Sequence, residues 1–389
     1  MKLPRVRAKP LLLFLGTSLL PIYPFGSGGI QPAHAVLALF AGLTLLTYRV
    51  PLTLWSLALF GMFLHSFIVE SIYLTLGSEP GVLLNSLFNL YNFVLVAGIY
   101  TYVRKHGLRA LVPGILIAGA IAVATIVVAG VDLREMGETG RATGTFNNPN
   151  QLGYFSVCLL SLTYLFYRHG HVNYWLAAGI FAASGFLAIS SLSKAAMIAN
   201  FIVIFLALKP AMSRAAMLSW FVVSLGAGWG LFLLYNNGAF DEFLFMRRIS
   251  NIASEGDSSL ESRGYFALLE GNALQLLFGL GAQGVQDLVG HEVHSTFGSV
   301  ANNYGLFGLA VFFLAFAVWA LRLCRGYGFI GMICLTGPAM MYGITHNGTR
   351  FTIFWVLFAA SLAMAQNTWA PSAKSRLSSS GYRNESGTP

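Results

Sequence analysis

The sequence predicts an all-α polytopic membrane protein of about twelve transmembrane helices, on three observations. Hydrophobic residues make up 56% of the 389-residue chain and charged residues 10%. With a mean hydropathy of +0.68, the chain is too apolar for a domain whose whole surface faces water. The apolar residues fall in successive windows of about 15 to 24 residues, long enough to cross a hydrocarbon core of about 30 Å as helices. Finally, one set of alternating loops holds most of the bases, the distribution produced when cytoplasmic loops retain Lys and Arg.

The windows lie near 11–24, 33–48, 51–69, 81–103, 108–131, 150–167, 174–190, 195–208, 214–235, 299–321, 327–344 and 351–366. The first follows MKLPRVRAKP and has the charge and apolar run of a signal peptide. It lacks a small-residue cleavage site and many spans follow it, so it reads as a retained helix. With the basic N-terminus cytoplasmic, the loops on that side hold Arg49, then Arg104, Lys105 and Arg109, then Arg168, Lys209, Arg214, Arg322 and Arg325. The tail adds Lys374, Arg376 and Arg383, and Glu385 is the only acid on that side. Both termini are then cytoplasmic and every span obeys the rule.

The net charge of +9 therefore reflects short loops beside anionic lipid headgroups and implies no nucleic-acid partner. Residues 1–366 read as one membrane domain, and the Ser-rich 367–389 as a disordered cytoplasmic tail. No six-span repeat is visible, and the one long insertion, 236–298, follows span nine on the external face. This asymmetry argues against a transporter built from two repeated halves. Cys158, Cys324 and Cys334 lie in or beside apolar runs, which points to neither a disulfide framework nor a zinc site.

Orientation leaves Arg134, Arg141, Lys194, Arg247, Arg248, Arg263 and Arg350 on the face where the rule disfavours bases. Arg134, among Asp132, Glu135 and Glu138, is accounted for by solvated ion pairing, and Arg247 and Arg248 have Asp241 and Glu242 close by. Arg141 opens RATGTFNNPNQLGYF, whose NNPN turn places the amides of Asn147 and Asn150 just before span six. Lys194 lies in a very short hairpin at the start of span eight, where helix-end amides favour an anion; snorkelling is the alternative.

Ser258 and Glu261 have capping-box spacing, so a helix is predicted to start there. Phe266, Leu269, Ala273, Leu276 and Leu277 then recur on one face, as in an amphipathic helix lying along the membrane surface. Arg263 falls on the opposite face, where a guanidinium can hold a phosphate bidentately or simply be solvated. GLGAQG at 279–284 matches a dinucleotide-binding pattern only formally, outside any strand-turn-helix unit, and reads as a tight turn. His291 and His294 follow. An imidazole that accepts a proton near neutral pH suits His294, just before span ten, for acid-base work.

RATGTFNNPNQLGYF before a span, SLSKAAM at a short hairpin, and Arg263 with LLFGLGAQG leading to HSTFGSVANNYGLFGL together resemble the bacterial O-antigen ligase and O-antigen (exopolysaccharide) polymerase family. The likeness spans about residues 140–310. It implies a metal-independent, inverting membrane glycosyltransferase without a cofactor, in the bacterial inner membrane with its active site facing the periplasm. Its donor is a glycan on undecaprenyl diphosphate, and its acceptor a second lipid-linked repeat, lipid A core or protein. By match, Arg263 and His294 face the lipid diphosphate and the reacting sugar, with Arg141, Lys194, Asn147, Asn150 and His291 around the substrate. Lys194 stands where the family usually has arginine, and Ser295 where it has asparagine. Polymerisation of repeat units is the first expectation, ligation the alternative, and a lipid-linked glycan flippase the rival from another class. Membrane lipids, a chain-length regulator and other polysaccharide-assembly proteins are the partners implied.

Overall fold

The computed structural model describes residues 8–26, 29–50, 52–128, 142–208, 265–290 and 293–367. The predicted ninth span, the loop residues 236–264 with the Ser258 capping box, and the tail from 368 lie outside the described residues. So do Arg141, Arg263 and His291.

The described residues are helical throughout, with no strand among them. In chain order the helices are α1 (Ala8–Ser18), α2 (Pro32–Thr47), α3 (Leu54–Thr75), α4 (Leu83–His106), α5 (Leu111–Val128), α6 (Pro149–Arg168), α7 (Tyr174–Ser190) and α8 (Lys194–Leu208). After residue 264 come α9 (Ala273–Phe278), α10 (Gly281–Val289), α11 (Thr296–Thr345) and α12 (Thr352–Asn367). By length and composition, four described segments can cross a membrane: Leu54–Thr75, Pro80–His106, Leu111–Val128 and Thr296–Thr345. Shorter apolar helices accompany them.

Apolar side chains line both the inside and the outside of the bundle, as a membrane-embedded protein requires. On α3, Trp55, Leu59 and Met62 are buried while Leu57, Leu64, Ile68 and Ile72 are exposed. Helix α6 is buried almost all round and packs against α7, α8, α11 and α12. Asn148 caps its N-terminus, accepting from Gln151 N at 2.9 Å, and Pro149 occupies the first turn, where no amide is needed. Buried hydroxyls join helices where lipid offers no partner: Ser161 Oγ donates to Cys334 O at 2.9 Å, and Ser184 Oγ lies 2.7 Å from Asn200 Oδ1.

The connections alternate between two ends. At one, Tyr23 N donates to Thr145 O at 3.2 Å and Ala142 N to Ser190 O at 3.0 Å, tying together the loops after α1, before α6 and after α7. At the other, Tyr48 Oη meets His106 Nε2 at 3.1 Å, and Tyr327 Oη meets His169 Nε2 at 2.8 Å. Among the described residues the acids Glu70, Glu79, Glu270 and Asp287 belong to the first end. Every described Lys and Arg except Lys194 and Arg350 belongs to the second, the basic end.

The long element α11 is broken at Gly305 (φ 68°, ψ −172°) and Gly328 (φ 74°, ψ 174°). Thr296 N donates to His346 O at 3.2 Å. Residues fifty apart can meet only if the chain reverses, so α11 runs from the first end to the second and back through the Gly328 bend. This agrees with separate apolar windows at 299–321 and 327–344.

The segment before α11 differs from expectation. Over 265–278 there is no single amphipathic helix: a 3-10 turn at Ala267–Glu270 is followed by extended Gly271, and Asn272 then starts α9. The Asn272 side chain accepts from Leu274 N and Gln275 N, each at 3.0 Å, while Gln275 Oε1 accepts from Asn272 N at 2.9 Å. This reciprocal cap outweighs the apolar periodicity that runs across it. Leu268 is buried, whereas Phe266, Leu269 and Leu277 of the expected inner face are exposed. The amphipathic helix is α10, with Val285 buried and Gln286 and Asp287 exposed.

Candidate functional site

At the acid-bearing end a cavity of ≈ 320 Å³ opens between the loops before α2 and α6, the start of α11 and the loop joining α11 to α12. Each loop is held by bonds traceable to its sequence. Gln31 N donates to His34 Nδ1 at 3.1 Å, which makes Nδ1 the acceptor and leaves the donor of a neutral ring on Nε2. Gln31 Nε2 donates to Phe25 O at 2.9 Å, closing the loop before α2. In the turn before α6, Gln151 Oε1 accepts from Asn147 N at 3.0 Å, and Tyr342 Oη donates to Asn150 O at 2.7 Å.

Ser295 caps α11, its Oγ accepting from Gly298 N at 3.1 Å. That cap directly follows exposed His294, which lines the cavity. The same cavity is lined by His346, stacked on Tyr342 with ring centroids 4.5 Å apart, and by Asn347, whose Nδ2 donates to Ser299 Oγ at 3.1 Å.

Arg350 completes the wall. Its Nη2 donates to Asn85 Oδ1 at 2.7 Å, and its side chain also borders a second cavity of ≈ 670 Å³ with Glu79, Asn85 and Gln283. A third space of ≈ 30 Å³ lies where Asn85, Asn89 and Asn92 line one face of α4. Asn92 Nδ2 donates there to Thr349 O at 2.9 Å. The guanidinium thus stands where three spaces meet, fixed by a membrane-helix amide.

Of the residues predicted from sequence, His294 and Asn150 share the 320 Å³ cavity. Asn147 does not line it; its side-chain amide donates to Phe25 O at 2.9 Å and serves the loop. Lys194 does not line it either. It begins α8 behind Tyr342, after a hairpin whose Ser193 Oγ lies 3.4 Å from Tyr342 Oη and whose Leu192 adopts a left-handed φ of 48°.

Sequence reasoning missed His34, His346, Asn347 and the placement of Arg350. Two signals carry them: the polar run HNGTR at 346–350 between apolar windows, and NSLFNLYN at 85–92, which sets three asparagines on one helix face.

The turn between α9 and α10 makes a close backbone crossing with α11. A Cβ on Gly279 (φ 98°) would stand 2.2 Å from Asn303 O, and one on Gly305 2.4 Å from Leu277 C. The carbonyls beside the α11 break find partners: Asn302 O accepts from Leu280 N at 2.8 Å, and Tyr304 O from His65 Nε2 at 2.8 Å. Buried Glu70 on α3 accepts from Ala282 N, at 3.3 Å to Oε1, in the first turn of α10. Among the described residues no three His, Cys, Asp or Glu side chains group as metal ligands.

Fold and site define an all-helical, membrane-type protein with a polar, histidine- and arginine-lined cavity at one end of the bundle. Comparison of the sequence with family models gives no match, and comparison with curated proteins gives none.

Proposed function

We propose that the protein is a bacterial inner-membrane glycosyltransferase that moves a glycan from undecaprenyl diphosphate to an acceptor hydroxyl at the periplasmic face. Polymerisation of O-antigen or exopolysaccharide repeat units is the favoured reaction, with ligation to lipid A core or protein as the alternative. The single observation that carries this reading is the cavity joining His294 and Asn150 to Arg350 at the end opposite the basic face. A charged lipid diphosphate needs a fixed cation at the membrane surface, and a sugar hydroxyl needs a proton acceptor nearby.

In the proposed step the acceptor oxygen attacks the anomeric carbon and the bond from that carbon to the diphosphate oxygen breaks. The electron pair leaves on the diphosphate, and the hydroxyl proton passes to His294. Single displacement inverts the anomeric centre. Arg350 stabilises the leaving charge, together with Arg141 and Arg263, bases expected from sequence to face the same substrate; Lys194, at the start of α8 and outside the cavity lining, takes no part in this step.

The flippase reading draws on the asparagine face of α4, but that face ends in ≈ 30 Å³, room for about one or two waters. The deciding experiment incubates purified protein with undecaprenyl-diphosphate oligosaccharide and follows free undecaprenyl diphosphate. Release with elongated lipid-linked product supports the polymerase. Transfer only when lipid A core or protein is supplied selects the ligase. Movement of intact donor between leaflets without release overturns transfer chemistry.

A further inference from the structure

At the basic end, Lys9 Nζ lies 4.4 Å and Lys105 Nζ 4.0 Å from the centroid of the same ring, Tyr48. Both ammonium groups are attracted by its π-electrons, yet gathering two cations on one ring raises their mutual repulsion. Arg49 and Arg104 line the adjoining cavity of ≈ 620 Å³ with Lys105, and Arg104 Nη1 donates to Tyr100 Oη at 3.3 Å. Among the described residues no acid lies at this end to balance them. Orientation by the positive-inside rule requires only that bases be present in these loops. It does not require residues from the starts of α1 and the ends of α2 and α4 to converge.

The flanking surface identifies the ligand. Leu46 and Leu52, which flank the lining segment 47–50 in sequence, are each 86% exposed, so the stretch of chain that carries the basic groups also presents apolar side chains to acyl chains. We infer that Lys9, Tyr48, Arg49, Arg104 and Lys105 form a binding site for the headgroup of an anionic phospholipid with two phosphodiesters, a diphosphatidylglycerol. The cavity has the size of a small-molecule site. Basic recesses between helices at a cytoplasmic surface suit such a headgroup. The site lies at the opposite end from the proposed transfer chemistry and does not depend on it.

The test uses the full-length protein purified in mild detergent, with retained lipid counted by native mass spectrometry after exposure to mixed diphosphatidylglycerol and phosphatidylcholine. The wild type is expected to retain diphosphatidylglycerol selectively. The Lys9→Gln, Lys105→Gln double variant is expected to bind it about 25-fold more weakly, at roughly fivefold per lost cation. Arg168→Gln, at the same end but outside the cavity, is expected to bind as wild type does.

Equal retention by the double variant overturns the inference, as does an equal loss in Arg168→Gln, which would mean diffuse charge rather than a site. Complete displacement by millimolar inorganic phosphate also overturns it, because a free anion would then suffice. Unfolding midpoints in phosphatidylcholine nanodiscs establish that the double variant folds. If it does not, Tyr48→Leu, which removes the shared ring, is measured instead: reduced retention supports the site and unchanged retention overturns it.

Discussion

Arg350 Nη2 donates to Asn85 Oδ1 at 2.7 Å, so the short loop between α11 and α12 reaches across to the first turn of α4 and holds a guanidinium at the mouth of the cavity. Under the proposed chemistry Arg350→Ala should lower the initial rate of undecaprenyl diphosphate release by about a hundredfold or more. Arg350→Lys, which keeps charge without the planar fork, should lose less. Asn85→Ala should cost about tenfold by loosening the guanidinium. Rates come from purified variants in the same detergent; an unimpaired Arg350→Ala enzyme would remove this residue from the diphosphate site.

His294 follows the same logic from the acceptor side. General-base assistance contributes about a hundredfold or more, so His294→Ala should lose at least that in the same assay. Glutamine can hydrogen-bond but takes no proton at neutral pH. Recovery in His294→Gln would therefore mean that the ring only orients the acceptor, and no recovery would identify it as the base.

The crossing of the α9–α10 turn with α11 predicts a contrast between two glycines. In Gly279→Ala the new methyl meets the Asn303 backbone at 2.2 Å, which no side-chain rotation relieves. The loss should be about 3 kcal/mol or more. Gly290 has a comparable φ of 78° but nothing within 4 Å, so Gly290→Ala should cost only about 1 kcal/mol of backbone strain. Unfolding midpoints in one detergent compare them; equal midpoints would contradict the close crossing.

Much of the helical framework is legible in the sequence because an apolar run of crossing length has few other folds in lipid. The window at 33–48 became α2 at Pro32–Thr47, and that at 174–190 became α7 at Tyr174–Ser190. The first window overran, since α1 ends at Ser18 shortly before Pro21 and Pro24, which lack amides to extend it. The 265–278 segment was misjudged because apolar periodicity continued across Gly271-Asn272, a stop followed by a cap. In the candidate site, His294 and Asn150 were legible from local pattern. Arg350 was visible as a base on the disfavoured face, but its partner Asn85 lies 265 positions away in sequence, and no local pattern reports such a pairing.

Glu70 predicts a second contrast in stability. Its carboxyl group is fully buried and accepts from Ala282 N. Glu70→Gln keeps an acceptor of the same shape and should be mild, whereas Glu70→Leu leaves that amide unpaired and should cost about 1–3 kcal/mol. Hydrogen exchange at the start of α10 provides the check: protection kept in Gln and lost in Leu is expected, and protection unchanged in Leu would contradict it.

The proposed orientation puts the two ends of the bundle on opposite sides of the membrane. In a Cys324→Ser background, Gly290→Cys should react with an impermeant thiol reagent in intact spheroplasts, and Gly170→Cys only after lysis. Both positions are exposed and lie at opposite ends of the bundle. The reverse labelling pattern would invert the orientation and place the cavity in the cytoplasm.

The reversal of α11 at Gly328 has a mechanical consequence. Thr296 N and Oγ1 both donate to His346 O, at 3.2 and 3.0 Å, and Thr296 Oγ1 accepts from Gly348 N at 2.7 Å. His294, two residues before Thr296, and His346, which accepts both Thr296 bonds, line the same cavity, and the two arms leading away from them meet again at the distant bend. When a thicker or thinner bilayer changes the tilt of membrane helices, the bonds at Thr296 hold the two arms together at the cavity end, and the breaks at Gly305 and Gly328 are the points of this element where its direction already changes.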